Sequence, residues 1–383
     1  MPIQQSKTVA VARCLSVGLS VGVWVAVVSA AVVPLGARAQ SLRAETVARG
    51  LDHPWAVAFL PDNRFLVTER AGRMRVISAD GKVGPPVAGV PEVVTGGQAG
   101  LFDVVLDSDF KANRTIYFCF AEPGAGGNST ALAKARLSDD ASRLEGVRVI
   151  FSQKPKVSST FHFGCRIVET PDRNLFLTLG ERNSRRADSQ TLDTHHGKVV
   201  RITKEGAPAP GNPFIGKAGA LPEIWSYGHR NAQGATLAPD GSFWLHEHGP
   251  QGGDEINIPQ PGRNYGWPVI TYGENYGGGK MGEGTSKPGM EQPIHYWVPS
   301  IAPSGMAFVT SDRYGPGMKG NLFVGSLKFS YLARLEVAGQ KVVRESKALE
   351  VGERVRDVKQ GPDGLLYLVT DESRGSLIRV LPQ

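Results

Sequence analysis

One phrase recurs six times along this chain and restricts its fold more than any other feature. Each time, a turn carrying Asp or Asn leads into a strand read as alternating. The copies are Phe59-Leu-Pro-Asp-Asn-Arg-Phe-Leu-Val, Leu106-Asp-Ser-Asp-Phe-Lys-Ala-Asn-Arg-Thr-Ile-Tyr-Phe, Glu169-Thr-Pro-Asp-Arg-Asn-Leu-Phe-Leu, Ala238-Pro-Asp-Gly-Ser-Phe-Trp-Leu, Val309-Thr-Ser-Asp-Arg-Tyr and Gly361-Pro-Asp-Gly-Leu-Leu-Tyr-Leu. Their marker aspartates are Asp62, Asp109, Asp172, Asp240, Asp312 and Asp363, spaced 47 to 72 residues apart. Pro fixes φ while Asp and Gly accept turn geometry, so each phrase reverses the chain between neighbouring strands. Repeats of this length are strand-rich units that cannot bury their own faces and must stack on one another. The expectation is an all-β chain, a six-bladed β-propeller with four-stranded antiparallel blades; a β-sandwich with similar turns is the alternative. A propeller brings loops from distant parts of the sequence to one end of a central channel.

Ahead of the repeats, Lys7 and Arg13 precede an uncharged apolar stretch from Cys14 to Gly36 that closes on Ala37-Arg38-Ala39. This is the layout of a secretory signal cut after Ala39, and it leaves residues 40–383 as one propeller domain. The expected location is periplasmic or secreted. The stretch also suffices to span a bilayer of about 30 Å, so membrane attachment follows only if the leader stays uncleaved. The net charge of +7 includes Lys7, Arg13 and Arg38, with no acidic residue in the leader to offset them. The near-balanced remainder gives no reason to expect a nucleic-acid partner. Of three cysteines, Cys14 falls in the leader. Export permits a disulfide between Cys119 and Cys165, but sequence alone leaves their pairing open.

Several segments carry residues suited to chemistry. Phe161-His162-Phe-Gly-Cys-Arg166 reads as a strand on which His162, Gly164 and Arg166 share a face; an imidazole beside a glycine suits proton abstraction near neutral pH. Glu353-Arg354-Val-Arg356-Asp357 alternates likewise, with Arg354 and Arg356 on one face and Asp357 opposite. Two such guanidinium groups repel each other unless an anion lies between them. Lys328, Arg230 and Asn231 in Tyr227-Gly-His-Arg-Asn, and Gln98 in Gly96-Gly-Gln-Ala-Gly100 add further polar candidates. In His248-Gly249-Pro250-Gln-Gly-Gly-Asp254-Glu255-Ile-Asn257, glycines free backbone carbonyls beside carboxylates, an all-oxygen set suited to calcium. His246-Glu247-His248 lacks the third spaced ligand of a zinc site.

Together and in this order, Gly97-Gln-Ala-Gly-Leu-Phe-Asp-Val, His162-Phe-Gly-Cys-Arg, Ile224-Trp-Ser-Tyr-Gly-His-Arg-Asn, Glu247-His-Gly-Pro-Gln-Gly-Gly-Asp-Glu-Ile-Asn and Arg354-Val-Arg-Asp-Val resemble the soluble pyrroloquinoline-quinone-dependent aldose sugar dehydrogenases. The resemblance runs from about Leu51 to Val380. It implies His162 as general base, Arg230 as a second catalytic residue, and Gln98, Arg230, Asn231, Tyr276, Lys328, Arg354 and Arg356 around pyrroloquinoline quinone (PQQ). It also implies that backbone oxygens of Gly249 and Pro250 hold the cofactor's calcium, and that Glu255 and Tyr265 belong to a second, structural Ca2+. Ala99 and Cys165 replace glycines of the family pattern.

The implied activity is oxidation of an aldose at its anomeric carbon to a lactone, with electrons passed to an acceptor the sequence does not identify, by a monomer or dimer. A cofactor bearing three carboxylates explains the concentration of Arg and Lys. Two other readings of the scaffold are a carbohydrate- or protein-binding propeller without catalysis and a calcium-dependent lactonase.

Overall fold

The computed structural model describes residues 41–383; the expected leader, residues 1–39, lies outside the described residues. The described strands form six four-stranded antiparallel sheets. Blade I comprises Pro54–Phe59, Phe65–Glu69, Arg73–Ile77 and Val83–Pro86. Blade II follows with Leu101–Leu106, Thr115–Gly124, Gly127–Leu137 and Leu144–Ser152. Blade III is Gly164–Glu169, Asn174–Leu179, Lys198–Thr203 and Ile224–Tyr227, and blade IV is Ala232–Leu237, Phe243–Glu247, Asp254–Asn257 and His295–Trp297. Blade V holds Pro303–Phe308, Leu322–Ser326, Tyr331–Ala338 and Lys341–Glu350. Blade VI takes Val355–Gln360, Leu366–Thr370 and Gly375–Pro382 from the C-terminal end and Leu42–Leu51 from the N-terminal end. The pairing of Leu42 with Pro382 and of Leu51 with Gly375 closes the ring. The six-bladed expectation therefore holds.

The first strands of successive blades pack against one another around the axis, that of blade VI against that of blade I included. Every marker aspartate lies in the connection between the first and second strand of its blade, so all six turns sit at one end of the channel. Second strands are packed on both faces between neighbouring blades. Phe65–Glu69, Asn174–Leu179, Phe243–Glu247, Leu322–Ser326 and Leu366–Thr370 are accordingly buried at every position, so the alternation expected after each turn fails here, because neither face of these strands is open to solvent. Blade V's outer strand Lys341–Glu350, by contrast, is largely open to solvent.

The end opposite the marker turns is built differently. In all six blades the pairing of first with second strand slips near the first strand's entry, between Pro54 and Ala56, Leu101 and Val104, Gly164 and Ile167, Ala232 and Gly234, Pro303 and Met306, and Val355 and Asp357. Such bulges re-aim side chains. Period two therefore fails where the sequence reading applied it. His162 (φ +50°) and Cys165 (φ +81°) adopt left-handed backbone around the bulge, so His162, Gly164 and Arg166 do not form one strand face.

Arg166 instead lies along the axis, with its side chain 1 % exposed. It donates to Asp357 Oδ1 (2.8 Å), Gln233 O (2.7 Å) and Arg356 O (3.1 Å), approaches Asp103 Oδ1 at 3.5 Å, and sits 4.1 Å over the Trp55 ring. One side chain on blade III thus ties blades I, II, IV and VI together. Cys119, on the second strand of blade II, and Cys165, on the first strand of blade III, are joined as a disulfide with their Cα atoms 6.1 Å apart.

Candidate active site

The bulged entries of the first strands and the exits of the second strands surround a central cavity of about 190 Å3. Its wall includes Gln98, Asn231, Arg354 and Arg356 from the sequence-derived set, together with Trp55, Arg70, His248 and Asp371. Asn231 Oδ1 accepts from Gly164 N (3.1 Å) and Gln233 Nε2 (3.2 Å), which leaves its amide NH2 for the cavity. Gln98 Oε1 accepts from the backbone N–H of His162 at 2.8 Å, tying the cavity wall to the loop that carries the imidazole.

His162 stands beside the cavity, 6 % exposed. Its Nδ1 lies 3.1 Å from Glu181 Oε2, a carboxylate with no exposed side-chain surface. The contact is close but poorly aligned, so Nδ1 makes no directed hydrogen bond. Burial pulls the imidazole pKa below its ordinary value, Glu181 opposes that shift, and the positive charge of Arg230 adds to it. A neutral ring at neutral pH is the form that accepts a proton. The backbone is held as firmly. Arg182 donates to the carbonyls of Phe161 and Ser159, on the stretch leading into His162, and lies 3.8 Å over the Phe163 ring that follows it. A Cβ at Gly180 would meet His162 O at 2.0 Å, so that position leaves space for glycine alone.

Arg354 and Arg356 do converge, and the anion between them is Asp371. Its Oδ2 lies 3.0 Å from Arg356 Nη2 and 3.7 Å from Arg354 Nη2. Burial alone would raise the Asp371 pKa, but Arg356 chiefly, with Arg70 and His53, carries it well below the usual carboxylate range. Asp357, expected opposite the arginines, is turned to Arg166 on the axis.

A second hollow, of about 10 Å3, adjoins the first across His248. It is lined by Arg230, Glu247, Gly249, Gly253, Glu255 and Tyr265, among others. Arg230 donates to His248 O at 3.1 Å, lies 5.1 Å over the Trp267 ring, and leaves its Nε unpartnered among the described residues. Glu247 and Glu255 share the Asn257 amide (3.2 and 3.3 Å). Burial, with Glu247 nearby, drives the Glu255 pKa well above its ordinary value, and Asn257 Oδ1 has no partner. A buried carboxylate whose ionisation is disfavoured, beside a second carboxylate and an orphaned oxygen, suits a small hard cation. The Tyr265 hydroxyl is committed to Ile258 O (2.8 Å) and Gln260 N (2.9 Å), so only its backbone oxygen is left to serve such an ion.

Pro250, Lys328 and Tyr276 line a third, more open hollow of about 430 Å3. Lys328 is exposed, and Tyr276 is 72 % exposed on the rim rather than in the central cavity. A Cβ at Gly249 would strike Gly252 O at 2.1 Å, so glycine permits this tight loop. His246 and His248 turn Nε2 to the Ser304 and Pro303 carbonyls, which agrees with setting zinc aside.

Sequence reasoning missed Arg70, Glu181 and Asp371. All three lie within two residues of a second strand's end, eight or nine residues beyond the markers Asp62, Asp172 and Asp363. Counting forward from each turn across its strand would have reached them.

Residues 51–379 match the family model described as Glucose / Sorbosone dehydrogenase. Aldose sugar dehydrogenase YliI of Escherichia coli is 47% identical over 355 residues, covering 91% of this chain and 95% of that protein. The crystal structure of the soluble aldose sugar dehydrogenase from E. coli in the apo form superposes with TM-score 0.87 at 46% identity, over 90% of this chain and 100% of the other. The PQQ-bound form of an aldose sugar dehydrogenase from Streptomyces coelicolor gives TM-score 0.72 at 29% identity, over 89% and 98%. A propeller matched over this length by that family model, and by relatives this similar, belongs to the glucose/sorbosone dehydrogenase family.

Proposed function

We propose that this chain is an exported quinoprotein that oxidises aldoses at the anomeric carbon to lactones, using PQQ and calcium, with His162 as general base. One observation carries the reading: a buried imidazole backed by a carboxylate stands beside a cavity walled by more guanidinium than carboxylate. Family membership supports it.

The residues present fit both groups. Arg354 and Arg356 share a single carboxylate, and the Nε atoms of Arg230 and Arg356 are buried without partners, so these cations retain capacity for an anion. The carbonyls of Gly249 and Pro250 accept no hydrogen bond from any described residue, as ligands of a hard cation require. Gln98, Arg230, Asn231, Lys328, Arg354 and Arg356 would hold the quinone, with Tyr276 at the rim. Gly249 and Pro250 would hold its calcium, and Glu255, with the Tyr265 backbone, the second. When bound, the quinone supplies an electrophilic carbon that accepts hydride, made more electrophilic by the calcium.

The protein's own part is proton transfer and orientation. His162 takes the proton of the anomeric hydroxyl as the C1–H bond breaks, and Glu181 stabilises the imidazolium that forms. Arg182 and Gln98 fix the His162 loop, so little reorganisation accompanies the step. The leader directs export to the periplasm or exterior.

The test is to add calcium and PQQ to purified apoprotein and follow dye reduction with glucose and other aldoses. Sugar-dependent reduction is expected, and its absence overturns the proposal. His162→Gln should keep the bound quinone's absorbance and lose roughly 10²–10⁴-fold in turnover; retained turnover removes His162 from the role of base.

A further inference from the structure

Arg70 has no place in the set above, yet it lines the central cavity. It follows the second strand of blade I, and its backbone is pinned from both sides. Its N–H donates to His53 O (3.0 Å), and its carbonyl accepts from Leu101 N (3.1 Å). Its guanidinium makes no hydrogen bond with any described side chain. The nearest acid is Asp371, with Nη1 3.9 Å from Oδ2, and the side chain is 29 % exposed. Three guanidinium groups, of Arg70, Arg354 and Arg356, thus lie within 4 Å of one carboxylate oxygen. Arg356 is the only one of the three that hydrogen-bonds it among the described residues. Three positive charges on one negative leave a surplus of two facing the cavity, and like charges gathered at the mouth of a partly enclosed cavity, with Arg356 buried and Arg70 and Arg354 open to solvent, favour a further anion.

The chain makes room for this arrangement. A Cβ at Gly100 would meet Arg70 Cγ at 2.4 Å and Arg70 O at 2.3 Å. The last glycine of Gly96-Gly-Gln-Ala-Gly100, whose Gln98 tethers the His162 loop, therefore also clears the path of the Arg70 stem. One short loop serves two walls of the cavity.

We propose that Arg70 is a further ligand-binding residue of this site. Its guanidinium takes a carboxylate of the bound molecule, while Asp371 acts as the positioning residue that spaces Arg70, Arg354 and Arg356. The proposal rests on the quinoprotein reading. A carboxylate in this cavity comes either from the quinone or from an acidic sugar, and the chemistry of recognition is the same: a planar fork meeting two oxygens.

The experiment titrates PQQ into calcium-loaded apoprotein, wild type and Arg70→Gln, reading the quinone's absorbance. In parallel it measures KM for glucuronate and glucose at saturating quinone. If the quinone supplies the carboxylate, R70Q binds PQQ roughly 10–100-fold more weakly, and R70K, which keeps the charge without the fork, recovers part of the loss. An acidic sugar would leave quinone affinity unchanged and raise KM for glucuronate alone by a similar factor. Thermal melting of R70Q within a degree or two of wild type separates either loss from unfolding. Quinone affinity and both KM values equal to wild type would overturn the proposal. Wild-type protein that takes up no quinone would instead overturn the functional reading beneath it.

Discussion

The pairing of His162 with Glu181 makes a prediction in which two effects of one substitution have opposite signs. Glu181→Gln keeps the volume and an acceptor oxygen but removes the charge. Glu181 supports the imidazolium against burial and against Arg230, so its loss lowers the His162 pKa further. The activity-bearing form is the neutral ring. The acid limb of kcat/KM, which should already lie below the usual imidazole value of about 6.5, therefore moves to still lower pH in the variant. The fraction of free base at pH 6 rises.

The rate nevertheless falls, because imidazolium must develop in the transition state without its counter-charge. At the 3.1 Å separation, unit charges interact by about 5 kcal/mol at an effective dielectric of about 20. A proton half transferred carries about half of that, roughly 2.5 kcal/mol, or some 50–100-fold in kcat. The assay is a pH–rate profile of dye reduction from pH 4 to 9 for both proteins at saturating quinone. An acid limb that stays in place, or moves to higher pH, would refute the electrostatic account. A plateau rate within twofold of wild type would remove Glu181 from the mechanism.

Arg166→Met should lower the melting temperature by about 4–7 °C, because breaking a buried ion pair costs about 3–5 kcal/mol and a chain of this size unfolds with about 2 cal/mol/K per residue; calorimetry checks it, and an unchanged midpoint would mean the axis is not tied as described. Reduction of Cys119–Cys165, which closes a loop of 46 residues, should cost about 4 kcal/mol by the chain-entropy relation, seen as a fall of about 5 °C in melts with and without dithiothreitol. Chelation should also lower the midpoint, with calcium but not sodium restoring it, since Glu247 and Glu255 share one amide in a hollow that accommodates a single small ion. Glu255→Gln should abolish part of that calcium response while leaving the fold intact in far-UV circular dichroism.

How far the sequence disclosed the molecule depends on which structural rule each element obeys. The blades were legible because their turns are local chemistry: Asp or Asn, in four copies with Pro, marks a reversal wherever it occurs, and six such reversals imply six units despite unequal spacing. The terminal strand Leu42–Leu51 was not, since nothing within its ten residues records that Gly375–Pro382 lacks a neighbour. Pairing between chain ends is a property of ring closure. At the site, the quoted motifs located Gln98, Asn231, Arg354 and Arg356 around one opening, with His162 on the loop that Gln98 tethers beside it, yet the inference from alternation to shared faces failed at His162 and Arg166. The slip at each first strand's entry is a tertiary feature that leaves the local pattern of residue types unchanged.

The same slips account for the division of labour along the channel. Below the bulges, first strands aim small or paired polar groups at the axis, where Arg166 and Lys359 meet Asp357 and Asp103 and the charges cancel. Above them, the re-aimed chain presents Arg354 and Arg356 with a single carboxylate between them, and the charges do not cancel. A propeller needs the first arrangement to close its centre and has no structural use for the second. Surplus charge held at one end of a ring, by residues whose backbones are fixed from several blades, favours an anion there. This is why a functional reading attaches to the bulged end, and why Arg70, which adds to that surplus at no structural gain, belongs with the site rather than with the scaffold.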